Sequence, residues 1–120
     1  METDPNGLDQ HEPGAKVDAG KPRVHLIYDA MPRALWQIAA VGTFGAEKYT
    51  DHGWQEVPDA INRYRDAMYR HQIKRAAGEL FDQDSGLLHA AHEAWNALAI
   101  LELTVRQINE FQQDESQRES

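Results

Sequence analysis

From Leu87 to Phe111 the chain carries Leu87, Leu88, Ala91, Trp95, Leu98, Ala99, Leu101, Val105 and Ile108 at helical spacing, a pattern that no other stretch matches in length. Such a run predicts one long helix, opened by Asp84-Ser85 as its cap and reaching nearly to Phe111. Its apolar arc is broad. A helix that is apolar on more than one face is buried on more than one face. The expected fold is therefore an all-α, compact bundle of about three main helices in which this segment touches both its own chain and a second subunit. A chain of 120 residues buries only a modest fraction of its surface alone, so a homo-oligomer, a dimer or tetramer, is expected to complete the core.

Two further helices precede it. Pro32 suits a first helical turn, because its missing N–H has no partner there in any case, and Leu35, Ile38, Ala39, Val41 and Phe44 follow at helical spacing to about Lys48. Residues 49–57 hold Thr50, Asp51, His52 and Gly53, a turn-rich run that reads as a loop. Pro58-Asp59 restarts the chain. From Pro58 to about Ala77, Ile61, Tyr64, Ala67, Met68 and His71 share one stripe and Arg63, Asp66 and Arg70 another, with Gly78 ending the helix. Residues 1–20 are rich in Asp, Glu, Gly and Pro and read as a flexible tail, while 112–120 form a second polar tail that frays beyond the last helix. The helical domain is expected over 21–111. Within it only Arg23 to Tyr28 has strand-like character, and it is expected to form a short extended arm.

The charge balance narrows the ligand. Twelve basic residues against twenty acidic ones leave a net charge of −8, the wrong sign for a protein that grips long nucleic acid through its phosphates. There is no cysteine, so disulfides, thiolate ligands and a cysteine nucleophile are excluded, and His, Asp, Glu and Asn remain as ligand types. No apolar stretch approaches the ~20 residues of a membrane span, and a soluble protein of the cytoplasm is expected.

Glu79 and Asp82 form Glu-x-x-Asp, a spacing that on a helix puts two carboxylates on one face, where they can grip a divalent cation. Seven residues beyond Asp82 begins His89-x-x-His92-x-x-x-Asn96, which aligns three polar groups along one side of an apolar helix, with Glu93 beside them. Ordinary packing does not require such a group. Each member alone has a structural alternative: a solvated carboxylate pair, a hydrogen-bonded core histidine, or, for Asn96, a helix-to-helix hydrogen bond. A second cluster comprises Gly45, Lys48, Tyr49 and Trp54, with Gly45 permitting close approach, Lys48 and Tyr49 suited to phosphate and base or sugar, and Trp54 offering a stacking face. Arg63, Arg70 and His71 form a third, since guanidinium forks match phosphate oxygens, although Arg63, Asp66 and Arg70 are equally able to pair along a surface. Lys21 with Arg23 is a fourth candidate or a basic spot on a mobile arm.

The ordered set Gly20-Lys21-Pro22-Arg23, Thr43-Phe44-Gly45-Ala46-Glu47-Lys48-Tyr49, Arg63-Tyr64, Arg70-His71, Gly78-Glu79-x-x-Asp82, Ser85-Gly86 and His89-x-x-His92-x-x-x-Asn96-Ala97 resembles a phage family of dATP/dGTP diphosphohydrolases, N-terminal domain, over about residues 16–103. That family looks related to the MazG-like all-α pyrophosphohydrolases, which work as helical oligomers with acidic side chains holding magnesium or manganese. The resemblance implies hydrolysis of a dNTP, dGTP or dATP, between the α and β phosphorus atoms to give dNMP and pyrophosphate. Such an activity supplies a 2-aminoadenine precursor or drains a host dNTP pool. It also implies Mg2+ or Mn2+ at the acidic pair, with Glu79 as ligand or base and Asp82 as ligand, Lys48, Arg63 and Arg70 stabilising charge, and His71 orienting a phosphate oxygen or protonating the leaving group. The sequence departs from the MazG-like pattern of Glu-x-x-Glu followed by Glu-x-x-Asp, because only Glu79-x-x-Asp82 is clear. His89 and His92, with Glu47 or Glu93, are then candidates to complete the metal shell.

Two other readings compete. An HD-type phosphohydrolase would also combine histidines and acids in a helical protein, but the core residues contain no adjacent His-Asp pair. A non-catalytic helical adaptor would use the apolar face of the long helix to recruit a partner and keep the polar cluster as structure.

Overall fold

The computed structural model describes residues 4–119 and divides into two compact units, Met1–Pro32 and Arg33–Ser120. In the first unit the residues expected to form a tail follow a succession of turns. The carboxylate of Asp4 accepts hydrogen bonds from the amides of Asn6 at 2.7 Å and Lys16 at 2.5 Å. Positions 1–3 of the expected N-terminal tail, and residue 120 of the C-terminal one, lie outside the described residues. The segment expected to be an extended arm is instead helical: α1 spans His25–Tyr28. Its amides close on carbonyls four residues back, Tyr28 on Val24 and Asp29 on His25, both at 3.0 Å. Local bonds of this kind satisfy the backbone without a partner strand.

The second unit holds α2 (Pro32–Lys48, opening at the unit boundary), a 3-10 turn (Gly53–Glu56), α3 (Ala60–Ala76) and α4 (His89–Glu119). The class is all-α, and the only strand-like feature among the described residues is an isolated antiparallel bridge between Phe81 and Leu88. α3 packs along α4. α2 meets α4 where Phe44 sets its ring edge-on to His92 at 6.4 Å. Trp95, on α4, takes Trp54 and Tyr64 edge-on at 5.9 and 5.5 Å, and so pins the 3-10 turn and α3 to the same helix.

Helix boundaries differ from the sequence reading where capping was inferred. Asp84-Ser85 does not cap α4: the helix begins at His89, and Ser85 instead closes a loop, with its amide on Asp82 Oδ2 at 2.8 Å and its hydroxyl accepting the Leu87 amide at 3.1 Å. At its far end α4 continues to Glu119, past Phe111. The end of α3 follows the glycine rule closely. Gly78 has φ of +101°, its amide bonds Arg75 O, and the Glu79 amide bonds Lys74 O, both at 3.0 Å, which is a Schellman closure.

What sits at the centre of this unit is unusual. The buried apolar side chains are Val41, Ala91 and Ala99, whereas Asp82, His89, His92 and Asn96 are buried polar groups. Burying polar groups is costly unless each is satisfied, so the interior is built around a polar cluster and not around a large apolar plug.

Candidate active site

α3 contributes His71, α4 contributes His89, His92 and Asn96, and the loop between them contributes Glu79, Asp82 and Ser85. Glu79-x-x-Asp82 is therefore not on a helix, as its spacing suggested. The loop folds back as a hairpin, with the Asp82 amide on Leu87 O at 2.7 Å and the His89 amide on Leu80 O at 3.0 Å. This return separates the two carboxylates. Glu79 Oε2 lies 3.2 Å from His89 Nε2, and Asp82 Oδ2 lies 3.7 Å from His92 Nε2.

The imidazoles form a compact set. His71 Nδ1 and His89 Nδ1 face each other at 2.8 Å, and the His71 ring stacks on His92 at 4.4 Å with an 8° interplanar angle. His92 Nε2 contacts the Ser85 hydroxyl at 2.7 Å. His71, Asp82 and His89 can each offer a ligand atom within 4.8 Å of the others, which makes them a group able to hold a metal ion. The protonation of His71 and Asp82 suits that use. Burial, with the neighbouring His92, pushes His71 down to about 4, and burial also lowers His92. For Asp82 burial opposes ionisation, but the Ser85 amide and hydroxyl and the adjacent imidazoles outweigh it and hold the carboxyl below its ordinary value. Near neutral pH His71 and His92 are thus uncharged and Asp82 is a carboxylate.

His71, Asp82 and His92 form part of the wall of a cavity of about 920 Å3, large enough for a nucleotide. The same cavity is lined by Lys48, Tyr49, Trp54, Arg63, Arg70 and Asn96, so the structure brings these sequence candidates to one place. Lys48 is held at 3.0 Å by Asp84, whose hydrogen bond and charge raise its pKa. Asn96 turns its amide N–H onto His92 O at 2.8 Å, within its own helix. Two candidates lie apart. Glu47 borders a second, more open cavity with Asp51 and His52. Glu93 is clamped by Arg75 through two hydrogen bonds of 2.6 and 2.9 Å. Lys21 belongs to the N-terminal unit, where its amide bonds Asp18 O at 3.1 Å.

Sequence reasoning gave Ser85, Asp84 and Trp95 no role in the site, reading the first two as a helix cap and the third as part of the apolar spacing. Ser85 bridges Asp82 to His92, Asp84 steers Lys48, and Trp95 anchors Trp54. Ser85-Gly86 stood among the motifs, and the positive φ of Gly86, +73°, which allows the hairpin to turn, is the signal that marked it.

A dATP/dGTP diphosphohydrolase of Salmonella phage PMBT28 is 37% identical over 81 residues, covering 68% of this chain and 26% of that protein. The chain thus spans about a quarter of the length of this curated relative. No solved structure matches. The family described as dATP/dGTP diphosphohydrolase, N-terminal, matches residues 11–115, nearly all of the helical chain, and the protein belongs to that family.

Proposed function

We propose that this chain hydrolyses a deoxynucleoside triphosphate, dGTP or dATP by preference, to dNMP and pyrophosphate with the help of a divalent cation, Mg2+ or Mn2+. The observation that carries the reading is that His71 and Asp82 belong both to the metal-capable group and to the wall of a cavity that also presents Lys48, Arg63 and Arg70. A triphosphate needs such a combination: cationic forks for its oxygens and a metal-holding edge beside them. The relative named a dATP/dGTP diphosphohydrolase supports the substrate class.

The residues present fit a cation, since His71, His89 and Asp82 each offer a ligand atom within 4.8 Å of the others, with the His71 imidazole uncharged and Asp82 a carboxylate. When bound, the cation supplies charge neutralisation and a water of lowered pKa. The chain's own groups do the rest. Arg63, Arg70 and Lys48 bind and orient the phosphates, and Trp54 and Tyr49 offer ring faces to the base or sugar. His71, its Nδ1 engaged with His89, has Nε2 to offer a phosphate oxygen. In a phage, such an activity serves modified-nucleotide supply, for example of a 2-aminoadenine precursor. The test is a panel of four dNTPs with Mg2+ or Mn2+ and identification of the products: pyrophosphate with dNMP is expected. Inorganic phosphate, tripolyphosphate or no turnover would overturn the proposal.

A further inference from the structure

We propose that His71, His89 and Asp82 form a resident site for a transition-metal ion of the zinc, cobalt or iron class, filled before any nucleotide arrives, with Glu79 as the positioning residue that fixes His89. The proposal rests on reading the cluster as the cation centre of the nucleotide site, and it changes which ion and which residues that centre uses.

The geometry of the imidazole pair comes first. Two nitrogens about 2.1 Å from one cation stand about 3.0 Å from each other at the right angle of an octahedral site and about 3.4 Å at a tetrahedral one. His71 Nδ1 and His89 Nδ1 are 2.8 Å apart, and Asp82 offers a carboxylate oxygen in the same small volume. Three protein ligands leave positions open, and His71 and Asp82 lie on the cavity wall, where water and a phosphate oxygen can reach such positions.

The second observation is independent of the first. His89 is wholly buried, and its Nε2 has no hydrogen-bond partner, although Glu79 Oε2 stands 3.2 Å away, off the N–H direction. Glu79 is outside the metal-capable group and does not line the cavity. It meets the ring nitrogen that does not face His71. An imidazole that gives its Nδ1 lone pair to a metal carries its proton on Nε2, and a carboxylate at that position fixes the tautomer and raises the basicity of the ligand nitrogen. Glu79 stands 3.2 Å from that nitrogen, and a turn of its carboxylate onto the N–H direction would complete the arrangement. Two imidazoles with one carboxylate can take a divalent ion in general but favour a borderline one over Mg2+, which prefers oxygen donors.

The test uses the full chain without nucleotide and reads Co2+ binding by equilibrium dialysis and visible absorption. Stoichiometric binding is expected, undisturbed by a large excess of Mg2+. His71→Ala should abolish the spectrum while helicity by circular dichroism is kept. Glu79→Gln should retain the spectrum with affinity lowered roughly 10–100-fold, the loss typical of a group that orients a ligand. Should His71→Ala fail to fold, nitrogen-15 NMR of the wild-type chain with Zn2+ decides: the Nδ1 signals of His71 and His89 move to metal-bound values and His89 Nε2 stays protonated. Absent Co2+ binding, equal displacement by Mg2+, unchanged affinity in Glu79→Gln, or Zn2+ on His89 Nε2 would each overturn the inference. If dNTP hydrolysis runs on Mg2+ in a chain that binds no Co2+, this site is refuted and the hydrolytic reading stands. Co2+ held as described in a chain that splits no dNTP supports the site and removes the hydrolytic reading.

Discussion

Lys48 reaches the cavity from α2 and Arg63 and Arg70 from α3, and each brings one positive charge to the place where phosphates are expected. Because each is one of several, Lys48→Ala or Arg70→Ala should lower kcat/KM for dGTP about tenfold, equivalent to ~1.4 kcal/mol of transition-state stabilisation, with base preference unchanged. Steady-state kinetics on purified variants checks this, and a loss of several orders of magnitude would assign that residue a chemical role. Glu93 serves stability at the same scale. Arg75 holds its carboxyl below the ordinary value of 4.5, so the pair's contribution is fully present above that value and is lost as pH falls through the native pKa. Arg75 is about half exposed, so solvent screening weakens the pair. Glu93→Gln should therefore lower the urea midpoint at pH 7 and leave it unchanged near pH 3. Equal destabilisation at both pH values would show that packing, not charge, is what the variant removes.

The hairpin between α3 and α4 is the element on which the site depends, because it sends Glu79 to one side of His89 and brings Asp82 to His92. Its entry is set by Gly78. At φ of +101° an added Cβ is strained even though nothing lies within 4 Å of it, so the cost is conformational and not a collision. Gly78→Ala should cost about 1–2 kcal/mol in urea denaturation. It should also weaken hydrolysis beyond what that loss explains, since the Glu79 amide leaves its bond to Lys74 O when the closure opens. A variant of full stability and activity would show that the Schellman closure is not what places the loop.

For the whole molecule, α4 leaves Leu98, Leu101, Val105, Ile108 and Phe111 44 to 65% exposed, spaced three, four, three and three residues apart, close to the heptad seam along which helices pair. Together with a buried centre that is more polar than apolar, this leaves the apolar arc seen in the sequence without a covering partner inside the unit. A homo-oligomer through α4 is the expected outcome. Light scattering at micromolar concentration should find a dimer or larger species, and Leu101→Glu with Ile108→Glu should shift it toward monomer without loss of helicity. A wild-type chain that is only monomeric would remove the expectation. Among the described residues no helix is long and apolar enough to cross a membrane.

Periodicity is a local property, and what it determined was local. The Pro32–Lys48 helix, the α3 stripe ended by Gly78 and the long apolar helix were all legible, because i, i+3 and i+4 spacing and glycine punctuation act within one segment. The polar residues inserted in the apolar helix were legible for the same reason: buried groups of that kind need partners, whatever the partners are. Which partners they have was decided in three dimensions. Nothing in the spacing shows that His71, eighteen residues before His89, places its Nδ1 against that ring, since the meeting depends on how α3 crosses α4. Nor does Glu-x-x-Asp disclose that it lies on a hairpin and not a helix, because the bonds from Asp82 to Leu87 and from His89 to Leu80 exist only once the loop has closed. Glu93 looks like a ligand beside His92 until Arg75, on the neighbouring helix, takes both its oxygens. A side chain's chemical type is written in the sequence, but its role follows from the groups that the packing of distant segments brings within a hydrogen bond of it.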